Sequence, residues 1–297
     1  HGAGEPPVHH HPANKQQVDL LLIAGDLFDQ PPTQQELREV DYLLSRLNHT
    51  RTVLIAGNHD HLEPHDVFSQ YKWNSEVYLL DGKQRDHISF EDLETTIYGF
   101  SYWKNQITKP LYDRMKPDES ESSDFSILLA HGGDESHIPI QRETLKWSGF
   151  DYIALGHIHK PMKVGSELYR YCGTPLACSV SEAQQQKGII MVEMGVKGEV
   201  KTTILPLEPL RQVKVVKGTL EEVLKESCKD YVTVILTDKA DLDVIDMQER
   251  IRLAFPNLLE IRRENLRKAD YTRTLQTEEL LDPYELCCSF LKDLDEE

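Results

Sequence analysis

Two apolar runs in the first fifth of the chain end in the same way: Leu20-Leu21-Leu22-Ile23-Ala24 leads into Gly25-Asp26, and Val53-Leu54-Ile55-Ala56 into Gly57-Asn58-His59-Asp60. An apolar run without alternation, closed by small residues, predicts a short strand covered on both faces. Two later runs end alike, Leu128-Leu129-Ala130 in His131 and Ala154-Leu155-Gly156 in His157-Ile158-His159. In open α/β sheets ligands collect beyond the carboxyl ends of the strands, so these four polar tips are expected to converge.

The 297 residues suffice for one large domain, or for a large and a smaller one, and 28% charged with 39% hydrophobic residues reads as soluble and globular. No run approaches the roughly 20 apolar residues of a spanning helix, and no basic segment followed by an apolar one opens the chain. A cytoplasmic protein without a membrane partner is expected. Five cysteines without a C-x-x-C pair suggest neither a disulfide framework nor a zinc ribbon. A net charge of −17 argues against binding nucleic acid by a broad basic face. If the protein acts on a polyanion, bound cations or a partner must supply positive charge.

Strands are expected at Val18-Ala24, Thr52-Ala56, Glu76-Leu80, Thr95-Phe100, Phe125-Ala130, Tyr152-Leu155, Glu167-Tyr171 and Gly188-Glu193. Helices are expected at Thr33-Leu47, where Glu36 has capping-box spacing, and at Ile140-Trp147. The polar segment Lys104-Asp124 reads as a surface insertion. After a linker at Pro206-Pro209 the pattern becomes β-α-β-α-β: strands Arg211-Val216, Tyr231-Thr237 and Leu258-Arg263, helices Thr219-Ser227 and Asp243-Phe255. The expected organisation is an irregular segment over 1–17, a main domain over 18–206, a small domain over 207–270 and a tail over 271–297. In the tail Leu281, Tyr284 and Phe290 are apolar anchors for packing on the body or docking on a partner.

Asp26, Asn58, His131, His157 and His159 together offer carboxylate, carboxamide and imidazole donors, a set suited to Mn²⁺, Fe²⁺ or Zn²⁺. It has too little oxygen for calcium and too little sulfur for structural zinc. His157 and His159, two apart, project to the same side of an extended segment. A single histidine at a strand end is ordinarily a satisfied structural group, and one G-N-H-D could be an Asx turn; four such tips in this order favour a site.

The order GD, GNHD, H, GHxH from Val18 to about Glu193 resembles the calcineurin-like metallophosphoesterase family. The segment Tyr171-Met194, the GDLFD motif with Asp29, and Glu260-Asn265 narrow the resemblance to its SbcD-type nuclease subunits. It implies an α/β, four-layer-type β-sandwich flanked by helices, with a small α+β capping domain. It implies two Mn²⁺ ions, Asp26 bridging them, Asn58, His131 and His157 completing one and His159 belonging to the other. His59 would be a general acid rather than a ligand. DNA as substrate, an SbcC-like ABC-type coiled-coil ATPase as partner and a homodimer are implied with it.

The family's first motif, an Asp-x-His, does not occur before Asp26. Either the chain as given lacks a central strand and half of one metal site, or it is a variant with one intact site; His9, His10 and His11 are substitute ligands only if they are more than a solvated run. The competing functions are another phosphatase or cyclic-nucleotide phosphodiesterase of the superfamily, and a catalytically impaired scaffold subunit. Arg262, Arg263, Arg267 and Lys268 form the densest basic patch, a phosphate contact or a solvated turn. Trp73, Trp103 and Trp147 fit core positions better than base-stacking ones.

Overall fold

A computed structural model describes residues 13, 16–74, 76–83, 85–118, 123–195, 198–238 and 243–264. The chain divides into two compact units between Leu210 and Arg211. The expected anchors Leu281, Tyr284 and Phe290, the histidines His9, His10 and His11, and Arg267 and Lys268 lie outside the described residues.

In the first unit β1 (Leu20–Ala24), β2 (Arg51–Ile55) and β3 (Val77–Leu79) form a parallel sheet in that order. A second sheet contains β4 (Asp86–Phe90), β5 (Thr95–Gly99), β6 (Phe125–His131), β7 (Tyr152–Gly156), β8 (Met162–Lys163) and β9 (Tyr169–Tyr171), in the order β4-β5-β6-β7-β9-β8. Its centre is parallel and its outer pairs, β4 with β5 and β8 with β9, are antiparallel. A hairpin of β10 (Ile189–Met194) and β11 (Val200–Leu205) completes the unit.

The period of two along each strand explains why the runs are continuously apolar. Val53 and Ile55 of β2 pack with Ile127 and Leu129 of β6 between the sheets. Leu54 and the following Ala56 pack the opposite way, against Leu37 of α1 (Gln34–Leu44) and Phe68 of α2 (Val67–Gln70). Leu128 and Ala130 of β6 likewise enter a third cluster with Phe100, Tyr112 and Leu155. Each such fully buried aliphatic side chain contributes about 1.5–3 kcal/mol. His131 ends β6 in phase with Ile127 and Leu129, so the alternation that builds the core also turns its ring toward the tip of β1.

Helix α1 starts where its capping box places it: Thr33 Oγ1 accepts from Glu36 N at 3.3 Å, and Glu36 Oε2 accepts from Thr33 N at 2.7 Å. It ends at Leu44 rather than Leu47, where Ser45 Oγ donates to the Tyr42 carbonyl at 2.8 Å and competes with the next helical turn.

Three expectations need correction. Lys104-Asp124 is not a simple surface insertion, because Ile107, Tyr112 and Met115 are buried in the core beneath its polar residues. The helix at Ile140-Trp147 contracts to α3 (Arg142–Lys146), which has no side-chain cap, and Trp147 is 74% exposed rather than core. Strands β4, β8 and β11 were not expected: β4 alternates half-buried and exposed residues in a polar sequence, β8 is only two residues long, and β11, rich in β-branched residues, pairs along its length with β10. Among the described residues no helix is long and apolar enough to cross a membrane.

The second unit alternates β12 (Val213–Gly218), α4 (Leu220–Val223), β13 (Tyr231–Leu236), α5 (Val244–Ala254) and β14 (Asn257–Arg263). All three strands are parallel, as helical crossovers require, and Val216, Val232, Val234, Met247, Ile251 and Phe255 fill its core. The first helix, expected through Ser227, gives way after Val223 to a 3₁₀ turn over Leu224–Glu226. Arg262 in β14 pairs with Glu260 at 2.7 Å.

Candidate metal centre

Four strand tips meet. Gly25 and Asp26 follow β1, Gly57 to Asp60 follow β2, His131 ends β6 and His157 follows β7. Asp26, His131 and His157 each offer one donor atom, all within 4.8 Å of one another. Asn58 joins them: its Oδ1 lies 3.0 Å from His131 Nε2 and 3.0 Å from His157 Nδ1. Asp26 Oδ2 lies 3.2 Å from His131 Nε2.

The ring of His131 is fully buried, and its Nδ1 lies 2.7 Å from the Ala24 carbonyl oxygen. A carbonyl only accepts, so in the neutral ring the proton sits on Nδ1 and the Nε2 lone pair faces Asn58 Oδ1 and Asp26 Oδ2. Three acceptors turned toward one point call for a cation. The residues therefore fit the divalent ion that the motifs imply, with a borderline donor set suited to Mn²⁺, Fe²⁺ or Zn²⁺.

Burial alone would raise the Asp26 carboxyl, but the His59 N–H and, when its ring is protonated, His131 outweigh it and hold the group below its ordinary value. Burial is the largest influence on His157 and lowers its pKa, only partly opposed by Asp134; the net shift favours the neutral ring, the form able to ligate.

The backbone that presents these groups is strained where they sit: Asp26 has φ +52° and His157 φ +92°, both in the left-handed half of the map. Gly25, at φ +82°, supplies the turn before Asp26. Gly57 has a different role from the sharp turn its position suggests. Its φ is not positive, but a Cβ there would lie 2.6 Å from Asp26 N and 2.7 Å from His131 Cε1. The residue is glycine because the loops pass that closely.

Asp60, with no exposed surface, ties the first two loops together. Its carboxylate accepts from Gly57 N at 2.6 Å, Leu27 N at 2.9 Å, and Asp26 N and Phe28 N at 3.2 Å. Burial raises its pKa, while these donors pull the other way.

His59 stands half-exposed, its backbone N–H donating to Asp26 Oδ1 at 2.9 Å. Its Nδ1 lies 3.0 Å from the backbone carbonyl of Asp29, the second aspartate of GDLFD. His159 is not brought into the group formed by Asp26, Asn58, His131 and His157. Its Nδ1 lies 3.0 Å from Glu182 Oε1, and Glu182 forms a buried ion pair at 2.7 Å with Lys187, whose Nζ also donates to the His159 carbonyl at 2.7 Å.

Sequence reasoning missed the supports of this centre. Tyr112 O–H receives the His131 N–H at 2.9 Å and donates to the His131 carbonyl at 3.3 Å, where Tyr102 O–H also donates at 3.1 Å. Tyr171 O–H donates to the neighbouring Gly132 carbonyl at 2.9 Å. No motif marks these tyrosines, since each is distant in sequence from the loop it holds. Asp134, three residues beyond His131, could have been noticed from proximity alone.

The model of the calcineurin-like phosphoesterase family matches residues 8–161, just over half of the chain. The model described as the type 5 capsule protein repressor C-terminal domain, SbcD_C, matches residues 207–293. Among curated proteins the chain is similar to the SbcD subunit of nuclease SbcCD from Staphylococcus epidermidis, 26% identical over 281 residues, covering 82% of this chain and 75% of that protein. It is 28% identical over 244 residues to the protein of the same name from Staphylococcus saprophyticus, covering 71% of this chain and 64% of the relative. With metal-suited side chains at its strand tips and that match over its first half, the chain belongs to the calcineurin-like phosphoesterase family, a metal-dependent phosphoesterase with the domain order of SbcD-type nuclease subunits.

Proposed function

We propose that the chain is the nuclease subunit of a DNA-end and hairpin-processing complex, cutting phosphodiester bonds as a 3′–5′ double-strand exonuclease and single-strand endonuclease. The observation that carries the chemistry is the convergence of Asp26, Asn58, His131 and His157 donor atoms at one point. These residues would hold Mn²⁺, and His159 would serve a second ion that Asp26 shares. A divalent ion in such a site lowers the pKa of a bound water and stabilises charge on the entering and departing oxygens of a diester.

The protein's own part is positioning and proton transfer. The His59 N–H, donated to Oδ1, favours the ionised form of Asp26, the form that can take a cation. With the Nδ1–H of His59 given to the Asp29 carbonyl, Nε2 of this half-exposed ring is the atom that can pass a proton to the leaving oxygen.

The net charge of −17 leaves DNA affinity to bound cations and to a partner. An SbcC-like ABC-type coiled-coil ATPase suits that need, with Leu281, Tyr284 and Phe290 of the C-terminal tail as its anchors and a homodimer in the cytoplasm as the working form. The names of the curated relatives, both parts of a nuclease, support this reading.

The test compares the chain with His59→Ala for cleavage of hairpin DNA and of bis-p-nitrophenyl phosphate in Mn²⁺. The proposal expects both substrates cut, and both losses in the variant at about 10²–10⁴-fold. Cleavage of the small diester alone would point to a phosphodiesterase of another kind, and cleavage of neither would overturn the reading.

A further inference from the structure

We infer that Asp134 is a positioning residue of the cation site: it decides which nitrogen of His157 is free to bind. The inference rests on the cation-site reading above and adds to it a residue placed behind a ligand, away from the cation.

His157 occupies a conformation rare for a residue with a side chain, φ +92°, and its ring bridges two acceptors. Nδ1 lies 3.0 Å from Asn58 Oδ1, inside the donor group, and Nε2 lies 2.7 Å from Asp134 Oδ2, outside it. A neutral imidazole carries one N–H. Placed on Nδ1, that hydrogen would fill the space where a cation must sit and take away the ligating lone pair. Placed on Nε2, it donates to a carboxylate, a stronger bond than one to an amide oxygen. Asp134 therefore selects the Nε2–H form and turns the Nδ1 lone pair inward.

Asp134 can do this because it is itself held. Its Oδ1 accepts from Ser136 N at 2.8 Å and His137 N at 2.9 Å, and His137 Nδ1 lies 2.9 Å from both carboxylate oxygens. The order from outside inward is His137, Asp134, His157, cation, a carboxylate–histidine–metal arrangement. The same three side chains also offer donor atoms within 4.8 Å of one another. Their nitrogen–oxygen contacts of 2.7–2.9 Å are those of shared protons rather than of a second ion.

The experiment records long-range ¹H–¹⁵N spectra of histidine-labelled protein, metal-free and Zn²⁺-loaded, with His157→Gln to assign the ring. Mn²⁺ affinity is measured in parallel on wild type, Asp134→Ala and Asp134→Asn. Because the Asp134 side chain is half-exposed, both variants should keep the wild-type thermal transition, which serves as the folding control. The inference predicts that metal-free His157 is protonated on Nε2 and ligates zinc through Nδ1, that Asp134→Ala loses this preference and weakens Mn²⁺ binding about 10–100-fold, and that Asp134→Asn, whose amide oxygen still accepts from Nε2–H, recovers part of both. Nε2–H retained in Asp134→Ala with unchanged affinity, or zinc ligated through Nε2, would overturn it. A wild-type chain that takes up no metal while showing the expected proton position would instead overturn the cation site and leave the role of Asp134 in fixing the ring intact.

Discussion

The buried carboxylate of Asp60 accepts the backbone N–H of Asp26 at 3.2 Å, joining two residues 34 positions apart. One side chain of the second loop thus holds in place the first loop's aspartate, the one proposed as a metal ligand. The same carboxylate takes the N–H groups of Leu27, Phe28 and Gly57, so the two loops share one hub. The left-handed backbone of Asp26 persists because this hub pins it.

Asp60→Ala should therefore strand four buried or half-buried N–H donors and cost about 3 kcal/mol or more of stability, with loss of Mn²⁺ binding. Asp60→Asn, which keeps one accepting oxygen, should fall between the two. Urea denaturation and metal titration measure both, and an alanine variant within about 0.5 kcal/mol of wild type would show that the hub is dispensable.

Tyr112→Phe removes one hydroxyl and leaves the His131 N–H without its 2.9 Å acceptor inside the core. The expected cost is about 1–3 kcal/mol in stability, the desolvation of an unsatisfied buried donor. A displaced His131 should also weaken Mn²⁺ binding. Wild-type stability with wild-type affinity would contradict the role given to Tyr112.

The strand tips were legible because buried strands need continuous apolar runs, and the change to Gly-Asp, Gly-Asn-His, Ala-His or Gly-His at their ends breaks that need visibly. Asp26, Asn58, His131 and His157 could be read from this alone. The groups behind them could not. Glu182 and Lys187 lie in a polar stretch with no periodicity, and Tyr112 lies in a segment whose Lys, Pro and Asp content suggests surface; their roles depend on pairings across the sheet. Nor could the reason for Gly57 be read, since closeness between two loops leaves no trace in either one.

Glu182 sets an acid limit. Burial alone would raise its pKa, but Lys187, His159, the Cys178 N–H and Ser179 outweigh burial and hold it at about 2, against an ordinary value near 4.5. The folded pKa is the lower one, so the unfolded chain binds more protons between the two values. The stabilisation is fully present above about pH 4.5 and is lost as pH falls toward 2. In Glu182→Gln, stability should drop by on the order of 3 kcal/mol at neutral pH, because the buried Lys187 charge loses its counter-ion, and the decline between those pH values should flatten. An unchanged acid limb in thermal melts would refute the assignment.

The most direct measurement counts Mn²⁺ bound per chain at equilibrium, by the paramagnetic signal of the free ion, in wild type, Asn58→Ala and His131→Ala. Convergence of Asp26, Asn58, His131 and His157 on one cation predicts at least one bound ion in wild type, weaker binding when the Asn58 oxygen is removed, and loss of that ion without the His131 ring. A wild-type chain that binds none, or a His131→Ala chain that binds as wild type does, would contradict the metal centre itself.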